Sequence, residues 1–222
     1  MKRTTHGWRI SGLVAGGLLG ACLVAGAAEP STTSLTLEPT ENRPTIWRAG
    51  IGEGFVKGAQ SIELKLSRGF GVNRGGPKLA HDLWLGHVQW GMMLDDQWGK
   101  GHWYGGNLEV IGQLFGGAQD DPEPAYVVQF NGGLRYHFAT GGRLVPFLAA
   151  SVGAGATDIG LPDLSTTFQF NEQIGGGVRY FLDRHRAITL EYFRQHLSNA
   201  SIKSPNHGVT SHCVSLGFAW LF

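Results

Sequence analysis

The amino-acid sequence predicts an all-β fold, an antiparallel transmembrane β-barrel of about eight strands that follows a cleaved signal peptide. Three observations carry that prediction. From residue 46 onward the chain falls into segments of roughly 10 to 16 residues in which apolar and polar side chains alternate with period two, divided by turn signals. Glycine is the compositional outlier at 35 of 222 residues. It lies inside apolar stretches such as "GGLRY", "SVGAGA" and "IGGGVRYF", where strand glycines mark bends or close backbone approach. Aromatic residues make up 11% of the chain and gather near segment ends, as interfacial girdles do.

The elements follow in order. Residues 1–28 read as the signal peptide: Lys2, Arg3 and Arg9 are basic, "ISGLVAGGLLGACLVAGA" is apolar and small, and "AGAAEP" supplies a small-residue cleavage site near Ala27 or Ala28. A second processing route is open, because "LGAC" resembles a lipoprotein box that makes Cys22 a lipidated first residue. Residues 29–45 are polar and hold three prolines, a flexible lead-in. Residues 46–222 form the barrel. Its strands are expected at 61–73, 82–95, 102–116, 125–138, 144–156, 166–181, 186–198 and 210–222, with 46–57 also strand-like.

Alternation assigns the faces. In 125–138, Tyr126, Val128, Phe130, Leu134, Tyr136 and Phe138 oppose Gln129, Asn131, Arg135 and His137. In 210–222, Val214, Leu216, Phe218, Trp220 and Phe222 oppose Ser211, Cys213 and Ser215. A soluble sandwich or lipocalin-like barrel turns such an apolar face inward, and a membrane barrel turns it outward. The glycine-rich polar faces, the terminal aromatic girdles and a last strand ending on Phe222 favour the membrane. Short turns face the periplasm in such barrels, which assigns "ATGGR" and "LDRHR" to that side and the longer 116–124, 157–165 and 199–209 to the outside.

Other classes are disfavoured. A net charge of +1 offers no broad nucleic-acid surface. After the signal peptide no apolar run reaches the ~18 residues of a membrane helix. Cys213 is the sole cysteine of the barrel region, which excludes a disulfide framework. "GFGVNRGG" and "GAGAT" lack the lysine–serine/threonine ending of a phosphate loop, and His196, His207 and His212 match no zinc spacing, so neither cofactor nor metal is expected.

The chemistry sits in "YFRQHLSNAS". The odd face of 186–198 (Thr189, Glu191, Gln195) is the more polar and belongs to the lumen, so Tyr192, Arg194, His196 and Ser198 point outward. Residues two apart on a strand share a face. Taken alone, His196 and Ser198 fit two readings: interfacial polar residues at a strand end, or a serine nucleophile with a histidine base, which also requires an orienting acid and an oxyanion donor.

"HLSNASIKSPNHGV", with "VPFLAASVGAG", "FNEQIGGGVRYF" and "ITLEYFRQH" upstream, resembles the lipid A 3-O-deacylases, outer-membrane barrels within a wider family labelled acyloxyacyl hydrolase. The resemblance covers roughly residues 145–222. It implies ester hydrolysis at position 3 of lipid A in the outer leaflet of lipopolysaccharide, with Ser198 as nucleophile, His196 as base and Asn199 as oxyanion donor. The glutamate that the family carries early in the last strand matches Thr210 here. A tight turn centred near Arg184 places Glu172 opposite His196, as a substitute acid or as an ion-pair partner of Arg194 or Arg179. Lys203, Arg194 and His212 are candidate phosphate contacts. The rival readings are a non-catalytic structural or lipid-binding barrel of the same family and a small porin.

Overall fold

The structure is a computed structural model that describes residues 45–72 and 79–222; the signal peptide, Cys22 and all but the last residue of the lead-in lie outside the described residues. Eight antiparallel strands follow in chain order: β1 (Gln60–Gly71), β2 (Asp82–Met93), β3 (Gly106–Asp121), β4 (Ala125–Phe138), β5 (Leu144–Thr157), β6 (Phe168–Phe181), β7 (Arg186–Ser198) and β8 (Val209–Leu221). Each pairs with its sequence neighbour, and β8 returns to β1, with Ile62 opposite Trp220, to close the barrel. Closure satisfies every strand edge, as a membrane-spanning sheet requires.

The polarity is that of a soluble protein turned inside out. Outward positions such as Leu66, Phe130, Leu148, Val152, Ile174 and Leu216 are exposed, while Glu63, Asn131, Arg135, Arg179 and Thr189 are fully buried in the lumen. Buried charges persist only when paired, and here they are. Glu63 Oε2 accepts from Arg135 and Arg179 at 3.0 Å each, Lys65 donates to Glu191 at 2.7 Å, and His137 Nε2 lies 2.8 Å from Glu109. These side chains fill the barrel's midsection.

One rim is stoppered. Residues 46–57 have a strand's alternation, but they fold back on themselves inside the mouth instead of joining the sheet; a single bridge links Trp47 to Phe55. Their rings stack at 4.3 Å, Phe181 packs edge-on to Trp47 at 4.7 Å, and Trp47 Nε1 donates to the Arg184 carbonyl at 2.9 Å. At the opposite rim, residues 158–167 cover the mouth, and Ile159 and Leu164 pack on Leu83, Leu85, Phe115 and Leu197.

Strand β3 departs most from expectation. It runs from 106 to 121 instead of 102 to 116, so the expected long loop 116–124 shrinks to the connection 122–124. Gly116 to Gln119 continue both ladders, with Gly116 opposite Gly86 on β2 and Gly117 opposite Val127 on β4. Two-sided pairing there outweighs the weak strand preference of glycine. Residues 102–105 belong instead to a turn segment at the stoppered rim, where His102 N donates to Gly99 O at 2.9 Å. That 94–105 segment is longer than the other turns at its end, so turn length separates the two rims less cleanly than the sequence implied.

Candidate active site on the outer wall

Three adjacent strands build the site. Position by position, β6, β7 and β8 align Glu172, His196 and Thr210 in one row across the outer wall. The row below is Ile174, Arg194 and His212, and Ser198 stands above, opposite Phe170. His196 and Ser198 share the outward face as alternation requires, about 7 Å apart along the strand. Both are partly exposed, next to the segment 199–208.

His196 is oriented from β8. Its Nδ1 lies 2.9 Å from Thr210 Oγ1. In the tautomer where Nδ1–H donates to that oxygen, Nε2 keeps its lone pair, the form a general base needs. Glu172 occupies the register position that the hairpin arithmetic predicts, directly opposite His196, but the imidazole Nδ1 is turned the other way, toward Thr210. Cross-strand neighbours have Cβ atoms about 5 Å apart, which puts Glu172 and His196 side by side on the outer wall.

The seat of the ring is Gly208. Its φ is +73°, and a Cβ built on it falls 2.6 Å from His196 Cε1. Any side chain there strains the backbone and displaces the imidazole. The preceding turn is sharp: Ile202 N donates to Asn199 O at 3.0 Å across Ala200 and Ser201, both with positive φ.

Asn199 does not join the pair. It is fully buried; its side-chain amide donates to Ser165 Oγ at 3.1 Å and Lys203 O at 2.8 Å, and its backbone N–H donates to Asn206 Oδ1 at 3.1 Å. In this structure all these donors brace the surrounding loops. The remaining candidates divide. His212 stacks on Tyr192 with its Nδ1 at the phenol oxygen. Arg194 lies one outward position deeper than His196, away from the loop rim. Lys203 is exposed in the 199–208 segment. Cys213 packs into the lumen opposite Phe193.

An eight-stranded barrel with an apolar outer wall, a filled polar interior and this polar cluster on the lipid-facing side is a bacterial outer-membrane β-barrel. The chain belongs to the lipid A 3-O-deacylase family, since the family model described as Lipid A 3-O-deacylase (PagL) matches residues 69–219. Lipid A deacylase PagL of Pseudomonas aeruginosa is 33% identical over 85 residues, a match that covers 36% of this chain and 44% of that protein. The crystal structure of the outer membrane enzyme PagL superposes with a TM-score of 0.54 at 19% identity, over 70% of this chain and 97% of that one. Neisserial surface protein A (NspA) superposes equally well, with a TM-score of 0.55 at 15% identity, over 75% of this chain and all of that one. An enzyme and a surface protein match to the same degree, so function is argued from the site.

Proposed function

We propose that this protein is an outer-membrane serine esterase that removes the ester-linked acyl chain from position 3 of lipid A in the outer leaflet. The observation that carries the reading is His196, hydrogen-bonded through Nδ1 to Thr210, two residues from Ser198 on the same lipid-facing wall. The acyl ester of lipid A lies at the headgroup boundary, so a pair near the loop rim reaches it without lifting the lipid out of the membrane. Lys203 in the adjoining loop supports the reading as a cation on the headgroup side.

On this reading the chemistry runs in two half-reactions. Ser198 Oγ attacks the ester carbonyl carbon as its proton passes to His196 Nε2. Collapse of the tetrahedral intermediate breaks the bond to the sugar oxygen, which takes the proton back from the imidazolium. Water, deprotonated by His196, then attacks the acyl-serine carbonyl; collapse releases the fatty acid as Ser198 Oγ takes the proton back from the imidazolium. In both half-reactions the imidazolium is transiently positive. Thr210 sets its orientation but offers no charge, and Glu172 on the other side supplies the negative field.

Mass spectrometry of lipid A from cells expressing the wild-type protein or Ser198→Ala tests the proposal. Loss of one 3-hydroxyacyl chain with the first and not the second is the expected result. A second reading has its own observation, the hydroxyl at position 210 where the family's glutamate falls: a barrel that retained the fold and lost the chemistry. Identical lipid A from both strains selects it.

A further inference from the structure

Three separate segments of the loop rim meet at one residue. Asp163, between β5 and β6, is 1% exposed. Its Oδ2 accepts the Leu79 N–H at 3.1 Å and lies 2.9 Å from His81 Nε2. Its Oδ1 stands 3.6 Å from His207 Nδ1, and its backbone carbonyl accepts the N–H groups of His207 at 3.0 Å and Gly208 at 3.4 Å. His81 is itself anchored, with Nδ1 2.6 Å from Gln119 Oε1 and its carbonyl accepting from Ser211 Oγ at 3.2 Å. A buried carboxylate is costly to keep without partners; here Oδ2 engages the segment before β2, Oδ1 faces His207 at 3.6 Å, and the backbone carbonyl holds the segment before β8.

The far end of this chain of contacts is the imidazole, because Gly208 is the residue against which His196 packs. We propose that Asp163 is a positioning residue for His196: by tying the 79–81, 158–167 and 199–208 segments together it fixes the Gly208 backbone and so keeps Nδ1 on Thr210. Asp163 touches neither substrate nor the reacting atoms. It acts through a seat whose tolerance is small, since a shift of about 1 Å in a catalytic group costs on the order of a hundredfold in rate.

The kinetic part of this inference rests on the esterase reading; the structural part does not. The test uses the full-length protein in detergent micelles, with purified lipopolysaccharide as substrate, and long-range proton–nitrogen correlation spectra of the His196 ring. Asp163→Asn is expected to lower kcat by about tenfold or more with KM within about twofold, and to replace the Nδ1-protonated ring signal by a tautomer mixture. Unchanged kcat together with unchanged His196 signals overturns the proposal, as does a rise in KM alone. If Asp163→Asn does not fold, His81→Gln removes one of the contacts on Oδ2 and is read identically: a smaller fall in kcat at constant KM supports the proposal, and no fall overturns it. Gly208→Ala acts on the same seat, so the double variant Asp163→Asn/Gly208→Ala is expected to be no slower than the slower single variant, and additive losses count against a shared seat. Hydrolysis that survives Ser198→Ala overturns the esterase reading and leaves the ring signature to decide this one.

Discussion

Nδ1 of His196 and Oγ1 of Thr210 lie 2.9 Å apart across the β7–β8 pair. On the proposed reading the hydroxyl stands where the family's glutamate falls: it orients the ring through one hydrogen bond and itself carries no compensating charge. Replacing the acid of a serine–histidine–acid triad with a neutral isostere lowers kcat by as much as about 10⁴-fold in a serine protease. Thr210→Glu is therefore expected to raise the rate of acyl release from lipopolysaccharide by about tenfold or more. Thr210→Val keeps the shape, loses a hydrogen bond of about 1 kcal/mol, and is expected to slow release roughly 3- to 10-fold. A Thr210→Val protein as fast as wild type removes Thr210 from the mechanism.

Glu172 faces His196 from β6. On the proposed reading its charge acts on the imidazolium through space, an interaction weakened by solvent at this exposed position. Glu172→Gln is expected to lower kcat about tenfold in the wild-type background and to have little effect once Thr210→Glu supplies a carboxylate. Equal losses in both backgrounds, measured by steady-state acyl release, show that Glu172 serves something other than the imidazole.

The lumen makes a separate prediction about stability. Glu63 accepts from both Arg135 and Arg179, so Glu63→Gln leaves two buried cations short of a counter-charge. Breaking a buried pair in this way costs about 3–5 kcal/mol. The expected readout is a lower urea midpoint for unfolding from lipid vesicles. A midpoint equal to wild type shows that the remaining acids, Glu109 and Glu191, neutralise the arginines unaided.

Leu216 lies near the middle of β8 and is 62% exposed on the outer wall. Leu216→Arg is expected to destabilise the barrel by about 2–4 kcal/mol in bilayers, the cost of a cation at the hydrocarbon midplane. The same substitution at a water-facing site is nearly neutral, so an unaltered unfolding midpoint contradicts the inside-out assignment.

Trp47 stops the far rim of the barrel. Trp47→Ala empties the stack with Phe55 and Phe181 and is expected to cost about 3–5 kcal/mol, again read from the unfolding midpoint. Acyl release by the folded fraction is expected to match wild type, because the stopper and the His196 row lie at opposite ends of the strands.

Strand number, strand faces and the Glu172–His196 register were legible because a membrane strand has one strict rule: outward positions meet hydrocarbon, and a shift of one residue breaks the whole face. Where that rule is silent, the reading drifted. "GGAQDD" looks like a loop by composition, yet it holds strand because both neighbouring strands extend beside Gly116 to Gln119 and β2 alone beside Asp121. Residues 46–57 alternate like a strand, yet Trp47 and Phe55 satisfy each other inside the mouth. The inward position of Asn199 was legible from alternation, since it follows the odd, lumen-facing set. Asp163 left no local signal. Its partners are Leu79 and His81, some eighty positions earlier in the chain, and only the closed barrel brings them together.

On the proposed reading, a pair that opens sideways onto lipid meets its substrate in two dimensions. The concentration that governs its rate is then the mole fraction of lipopolysaccharide among its lateral neighbours, whatever the number of micelles or vesicles in the tube. Inert detergent added at constant total substrate dilutes the reaction on the surface, and encounter is set by how quickly one amphiphile exchanges places with the next along the barrel wall.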